Sequence, residues 1–302
     1  MGMKLSRQDK RRLRVGVLFA LPWIVGFLGF TVFPIIDSLY YSLHVYTTFG
    51  QAMHWVGLSN YIELVSQDEL FWTSLGNTLY MVVLGVPFHI SVAVVLALLL
   101  NLKLRGVAFY RTVYYLPTIV PVVATSVLWM WVFNPEYGLI NAALGTLGIH
   151  GPGWLTDPVL AKPAMILMGC WTIGGTIVIF LAGLQDIPQH LYEAAMLDGA
   201  GSLQRVSHVT LPLLSPVIFF NVIMGIIGGF QVFTQAFIMT QGGPLDATLF
   251  YALYLYQNAF QYFKMPYASA MAWLLFVVVL TATLFVFRTS SRFVYYEGEA
   301  PS

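Results

Sequence analysis

The sequence predicts an all-α integral membrane protein with six transmembrane helices. Hydrophobic residues make up 58% of the 302-residue chain and charged residues 9%, whereas soluble domains contain roughly 45–50% and about 25% of these two classes. Lipid must therefore solvate much of the surface, and in lipid only helices or closed barrels satisfy the backbone hydrogen bonds. The apolar runs are long and continuous rather than alternating, which favours helices over a barrel.

Six apolar runs reach the length of roughly 20 residues that a bilayer-spanning helix needs. The first follows a basic stretch, but no small-x-small cleavage site comes after it, so we expect a retained span and not a signal peptide. The fifth is rich in glycine and begins between Pro212 and Pro216. The runs lie at residues 15–36, 78–100, 113–133, 164–185, 213–238 and 268–288.

The basic residues predict which side of the membrane each loop faces, because cytoplasmic loops carry an excess of Lys and Arg. If both termini and the loops after the second and fourth runs are cytoplasmic, that side holds twelve of the 14 basic residues, and the other side holds only Lys162 and Lys264. The sequence thus predicts a cytoplasmic N-terminal tail at 1–14, a membrane domain at 15–288 and a cytoplasmic C-terminal tail at 289–302.

Composition also excludes several functions. The net charge of +1 argues against a nucleic-acid partner, and a single cysteine excludes an internal disulfide and any multi-cysteine metal site. No Asp, Glu, Lys or Arg lies within the six runs clear of their ends, which argues against an ion-coupled or proton-coupled carrier and against a membrane enzyme. His89 in the second run is either a proton relay or, as is commoner, a neutral histidine facing other helices.

Residues 186–212, after the fourth run, have the pattern of two short helices joined by a sharp turn. The stretch before Gly199 favours helix, Gly199 and Gly201 permit a positive φ and break it, and Pro212 is expected to end the second helix before the fifth span. Small alanines beside two carboxylates would let a partner approach closely, with the acids pairing with its basic groups. An amphipathic surface helix with solvated acids explains the same composition.

In this loop Glu193-Ala194-Ala195 is followed after three residues by Gly199 and after nine more by Val209-x-Leu211-Pro212. This spacing resembles the EAA motif of permease subunits in bacterial ATP-binding-cassette (ABC) importers, with Val209 where the motif usually has Ile. The segment LPWIVGFLGFTVFPIIDSLYYSL (21–43) resembles the first span of this family. Two further segments resemble its carbohydrate-importer branch, namely RGVAFYRTVYYLPTIVPVVATSVLWMWVFNPEYGLINAAL (105–144) and FQVFTQAFIMTQGGP (230–244).

The resemblance implies the type I, maltose-permease-like fold of ABC importers in the bacterial inner membrane. It implies a second permease subunit, expected to be a different chain, two cytoplasmic ATPase subunits and an extracytoplasmic binding protein that delivers a carbohydrate. The chain has no G-x-x-x-x-G-K-[ST] phosphate loop, so we expect it to be no enzyme, to bind no cofactor or metal, and to leave ATP hydrolysis to its partner. The residues that would couple it to the ATPase are Glu193, Ala194, Ala195, Asp198 and Gly199.

The same resemblance places the substrate contacts on the fourth and fifth spans. Aromatic faces beside amide groups suit sugars, although lipid-facing aromatics would give the same pattern, and the glycines here either pack helices or widen a cavity. The expected contacts are Trp171, Thr172, Gly175, Gly229, Phe230 and Gln231.

Two alternatives to an oligosaccharide permease remain open from the sequence. One is a glycerol-phosphate importer permease, although no cation lies near the expected contacts and an unpaired anion in a low-dielectric cavity is costly. The other belongs to a different class and is an autonomous secondary carrier or channel. Importers of amino acids or metals share the EAA loop but not the carbohydrate-branch strings.

Overall fold

Helices form most of the computed structural model, which describes residues 7–46, 53–102 and 105–290. Parts of the two predicted tails, with Lys4 and Arg292, lie outside the described residues, as does Lys103 of the loop after the second run.

The described helices account for the six predicted spans. Four continuous helical stretches are long and apolar enough to cross a membrane, and two further pairs of helices pass the same test if each bent pair is one span. The continuous stretches are Arg11–Ser42, Glu69–Leu100, Ser202–Met239 and Met265–Ser290. The bent pairs are Val107–Ile119 with Val122–Val132 and Ala161–Thr172 with Gly174–Asp186.

One compact unit comprises the described residues within 1–67 and 257–274. In this unit the Asn60 amide donates to the carbonyls of Ser42 and His44, both at 2.8 Å, which fixes the chain where the first span ends. In the most apolar stretch of the first span, 0% of the residues are buried within the chain. The elements begin with α1 (Arg7–Phe27), a π-helical segment (Leu28–Val32) and α2 (Phe33–Ser42), followed by an antiparallel pair, β1 (His44–Tyr46) and β2 (Met53–Trp55), by α3 (Ser59–Ser66) and by a second π-helical segment (Gln257–Gln261).

The second unit comprises the described residues within 68–256 and 275–302, and α16 (Met265–Ser290) has residues in both units. Its main apolar cluster packs the second span against the fourth and fifth spans, with Ala93, Phe180 and Leu214 fully buried. Its first half contains α4 (Glu69–Tyr80), a π-helical segment (Met81–Gly85), α5 (Val86–Leu100), α6 (Val107–Ile119), α7 (Val122–Val132), α8 (Leu139–Thr146), α9 (Ala161–Gly169), a 3-10 turn (Cys170–Thr172) and α10 (Gly174–Asp186). Its second half contains α11 (Gln189–Leu197), α12 (Ser202–Arg205), a π-helical segment (Val206–Thr210), α13 (Leu211–Phe230), α14 (Thr234–Met239) and α15 (Tyr251–Tyr256).

The third predicted span is broken near its middle rather than straight. Helices α6 and α7 meet at an angle of 104°. Val120 is extended, with φ −71° and ψ 129°, because the ring of Pro121 disfavours helical geometry in the residue before it. The fourth span bends by 53° where Ile173 leaves helical geometry ahead of Gly174.

Pro212, in contrast, does not end a helix as the sequence predicted. The stretch from Ser202 to Met239 is a single candidate span, and Pro212 lies in the first turn of α13. A π-helical segment, Val206–Thr210, comes directly before it. Hydrogen bonds in a π turn join residues five apart, and this wider turn accommodates a residue that has no N–H to donate.

Polar contacts fasten the loop that follows α14 to the start of the second span. The Asn77 amide donates to the carbonyls of Asp246 at 2.7 Å and Leu249 at 3.1 Å. The Lys162 ammonium donates to the Asn77 side-chain oxygen at 2.8 Å. These bonds satisfy both the amide nitrogen and the amide oxygen of the buried Asn77 side chain.

Candidate functional site

The loop at 186–212 contains a short helix that ends in a sharp turn. Gly199 has φ +81°, a conformation that costs an L-residue with a side chain roughly 1–2 kcal/mol. Its N–H donates to the Met196 carbonyl at 3.1 Å, and the N–H of Ala200 donates to the Ala195 carbonyl at 2.9 Å. This pair of bonds is the Schellman ending of α11 and satisfies two of its last carbonyls. Gly201 has φ −66° instead and caps the start of α12.

The residues predicted to couple the chain to an ATPase lie together on this helix and turn. Glu193, Ala194, Asp198 and Gly199 are exposed, and Ala195 is half-buried. A cavity of about 310 Å³ lies between α11 and the next helical segment. Three of the five predicted residues, Ala195, Asp198 and Gly199, line this cavity together with Arg205 and His208, and the remaining two lie outside it.

Two leucines that sequence reasoning missed flank the same turn. Leu197 is 89% exposed and Leu203 is 84% exposed. Isolated exposed leucines are ordinary on protein surfaces, but these two lie on either side of the turn at Gly199 within the 186–212 loop. The loop therefore presents apolar side chains beside the Glu193 and Asp198 carboxylates.

A second and larger cavity, of about 610 Å³, lies in the membrane domain. Its wall includes residues on both sides of each broken span, such as Thr118 and Val122 in the third and Thr172 and Thr176 in the fourth. Helix breaks inside a membrane are tolerated where they line a cavity. The cavity and its threonine side chains therefore lie at the two helix bends.

Hydroxyl, amide and imidazole groups line this cavity, and no Lys, Arg, Asp or Glu is among its lining residues. Thr125 is 1% exposed, and its hydroxyl has no hydrogen-bond partner within the described residues. The Asn221 amide donates to the Val217 carbonyl at 2.8 Å. The polar lining residues are His89, Thr118, Thr125, Thr172, Thr176, Asn221 and Gln235.

His89 is held by the fourth span rather than left free to relay protons. Its Nε2 donates to the Ile166 carbonyl at 2.7 Å, since a carbonyl can only accept. A Cβ built on Gly169 would lie only 2.3 Å from this nitrogen, so the ring fits against the helix because residue 169 is glycine. The contact matches the commoner explanation for a histidine inside a span.

The structure places two of the six residues predicted to contact substrate in the wall of the large cavity and the other four outside it. Thr172 and Gly229 line the large cavity. Trp171 is exposed and packs edge-to-face on Trp129, and Gln231 is also exposed. Phe230 is 1% exposed and packs in a core cluster, and Gly175 is half-buried, with the position of its absent Cβ 3.6 Å from the Thr118 methyl group. The last four residues are not among those that line the cavity.

Some glycines of the fifth span allow close helix packing, and another leaves open space in the cavity. A Cβ on Gly225 would lie 2.7 Å from Val86, and one on Gly229 would lie 3.0 Å from Val82, so these two glycines let α13 approach the second span. A Cβ on Gly228 would meet no atom within 4 Å, and Gly228 lines the cavity. Gly228 is therefore the position at which an added side chain would enter the cavity without displacing a neighbour.

Comparison with known proteins gives consistent matches along the chain. A family model described as binding-protein-dependent transport system inner membrane component matches residues 85–294. The chain is 44% identical over 301 residues to the probable ABC transporter permease protein YesP of Bacillus subtilis (strain 168), covering 98% of this chain and 97% of that protein. It is 38% identical over 278 residues to the lactose transport system permease protein LacF of Rhizobium radiobacter, covering 90% and 91%.

A solved structure also has this fold. A chain in the crystal structure of a bacterial ABC transporter involved in the import of the acidic polysaccharide alginate superposes with a TM-score of 0.82 and 26% sequence identity. The match covers 96% of this chain and 100% of that chain.

Proposed function

The chain belongs to the family of binding-protein-dependent transport system inner membrane components, and we propose that it forms, with a second permease, the path by which an ABC importer moves a carbohydrate. Its relatives are transport proteins, and the chain is an importer permease and not an enzyme. An autonomous ion-coupled carrier has no support from the membrane cavity, whose lining residues include no Asp, Glu, Lys or Arg and whose one histidine, His89, bonds to a backbone carbonyl.

The observation that carries the carbohydrate proposal is the polar lining of the cavity at the two helix bends. Sugar hydroxyls both donate and accept hydrogen bonds, and the cavity offers threonine, asparagine and glutamine side chains that do the same. The unpartnered Thr125 hydroxyl supports this assignment because a buried polar group without a partner is costly unless a ligand or water satisfies it. Thr172 and Gly229 are the predicted contacts that fit this path.

The absence of cations in the cavity wall favours a neutral sugar over a phosphate or carboxylate. An anion transferred to a low-dielectric site needs a paired charge, and the lining residues contain no Lys or Arg. We therefore propose a neutral di- or oligosaccharide rather than glycerol phosphate, with the second permease completing the path.

Coupling to ATP hydrolysis is assigned to the 186–212 loop. With both termini in the cytoplasm, this loop faces the compartment that contains ATP. We assign α11 as the helix that docks into a cleft of the ATPase, with Glu193 pairing with a basic residue and Gly199 allowing the turn to fit. The exposed Leu197 and Leu203 would add apolar contacts at the same interface.

Transport by the reconstituted complex tests the substrate assignment. The chain, its partner permease, the ATPase and the binding protein would be incorporated into proteoliposomes, and ATP-dependent uptake of neutral oligosaccharides, glycerol 3-phosphate and oligouronates would be compared. We expect uptake of a neutral oligosaccharide. Uptake restricted to the anionic compounds would overturn the assignment of a neutral sugar, and uptake without ATP would overturn the importer.

A further inference from the structure

Arg111 in α6 has an incompletely satisfied guanidinium group at one end of the membrane domain. Its Nη2 donates to the carbonyl of Leu100, the last residue of α5, at 2.9 Å. Its Nε is buried and has no partner, and no carboxylate of the described residues pairs with it. A buried donor without a partner requires an explanation, such as an ion or ligand.

The guanidinium lies in the wall of a pocket of about 240 Å³ between α6 and α10. The pocket floor is apolar and buried and includes Ile177 and Leu181. Its rim is open, because Tyr114 is 40% exposed and Val178 is 47% exposed. The pocket thus joins one positive charge to a mainly apolar surface that is accessible from outside the chain, with Gln185 as a further polar side chain in its wall.

We propose that this pocket binds the headgroup of an anionic phospholipid from the cytoplasmic leaflet. The inference rests on the proposed orientation, in which the segment just before α6 is cytoplasmic. Guanidinium groups match phosphate geometry, and basic pockets between transmembrane helices on this side suit anionic headgroups. Tyr114 and Tyr115 stand at the rim, as tyrosines do at membrane interfaces.

A phospholipid fits the pocket better than a free phosphate ion does. The apolar floor at Ile177 and Leu181 and the rim at Val178 give acyl chains a surface to cover, whereas inorganic phosphate would gain only one cationic contact. A carboxylate from a partner protein would also satisfy Arg111, and the test below separates that occupant from lipid.

Native mass spectrometry of the full chain in detergent measures the binding directly. The chain would be titrated with dioleoylphosphatidylglycerol or dioleoylphosphatidylcholine, with and without inorganic phosphate. We expect preferential retention of one phosphatidylglycerol, no competition by millimolar phosphate, and affinity about tenfold lower in Arg111→Gln, because hydrogen bonds to a charged group are lost. Arg288→Gln, which removes an exposed arginine from the last turn of α16, should stay within about twofold of the parent.

A second variant keeps the result interpretable if Arg111→Gln fails to fold. Ala182 lines the pocket and is exposed, so Ala182→Trp fills the pocket while leaving Arg111 and Leu100 in contact, and it should also reduce phosphatidylglycerol retention. Equal retention of the two lipids by the parent, or parental affinity in both pocket variants, would overturn the proposal. So would loss of the bound lipid when the partner permease is co-expressed, because a protein group would then occupy the pocket.

Discussion

The hydroxyl of Tyr192 lies 3.0 Å from the hydroxyl of Thr210. Thr210 in turn donates to the Arg205 carbonyl at 3.3 Å, so Tyr192 is the donor in the first bond. The tyrosine ring packs against the apolar cluster that includes Leu184 and Leu214. One side chain therefore joins α11, the start of the fifth span and the apolar cluster between the spans.

Removing the Tyr192 hydroxyl should weaken coupling without unfolding the protein. Tyr192→Phe retains the ring packing and loses one neutral hydrogen bond, worth about 1 kcal/mol, so we expect substrate-stimulated ATP hydrolysis by the complex to fall about fivefold. Ser207→Ala is the matched control, because its exposed hydroxyl bonds only to nearby groups of its own helical segment. Equal ATPase rates in both variants would show that the Tyr192–Thr210 bond does not contribute to coupling.

The two glycines of the loop should respond differently to the same substitution. Gly199→Ser places a side chain at φ +81° and should cost roughly 1–2 kcal/mol, distorting the turn and lowering ATP-driven uptake. Gly201→Ser should be nearly neutral, because residue 201 has φ −66° at a helix N-cap, where serine is favoured. Uptake and detergent stability would be measured for both, and equal uptake would exclude a special role for the turn.

The Thr125 hydroxyl should matter to substrate and not to stability. Thr125→Val removes a buried group that has no partner within the described residues. We expect unchanged or higher thermal stability, and oligosaccharide uptake reduced about fivefold if a sugar hydroxyl bonds there. Ser126→Ala is the neighbouring control, since its hydroxyl bonds to Val122 and it does not line the cavity. Parental uptake by Thr125→Val would remove this residue from the substrate path.

Filling the cavity at Gly228 should discriminate between substrates by size. Gly228→Leu adds a side chain into open space, so the protein should fold while uptake of larger oligosaccharides falls at least about tenfold more than uptake of disaccharides. Gly76→Leu makes the same change at an exposed helix position that is also open but lies outside the cavity. Parallel loss of all substrates in both variants would indicate a general folding effect.

The span positions and the loop turn were predictable from the sequence, because they depend on local properties. Run length and low charge located the spans, and the absence of a side chain at Gly199 located the turn. The proline effects were not predictable in the same way. Pro121 breaks a span because Val120 becomes extended, whereas Pro212 follows a π-helical segment that absorbs its missing donor. The sequence signal is the same at both positions, and the preceding turn decides the outcome.

The cavity lining was the hardest feature to predict, since it depends on contacts between separate spans. Thr118 and Thr125 line one cavity together with Thr172 and Thr176, at the places where the third and fourth spans are bent. Phe230 and Gly229 are adjacent in sequence, yet Phe230 points into the core and Gly229 lines the cavity. The sequence predicted sugar contacts at both positions. The rotation of the helix about its axis, which the sequence does not specify, directs one residue to the core and the other to the cavity.

Retention of an ATPase by the affinity-tagged chain measures most directly whether the 186–212 loop joins an import permease to its energy source. We expect an ATPase subunit to co-purify with the parent chain from native membranes. Glu193→Lys should reduce the retained ATPase about tenfold or more, equivalent to about 1.4 kcal/mol of binding, whereas Glu136→Lys, the same reversal at an exposed site outside the loop, should retain it fully. Absence of any ATPase from the parent preparation, or equal retention by the two variants, would contradict the coupling role.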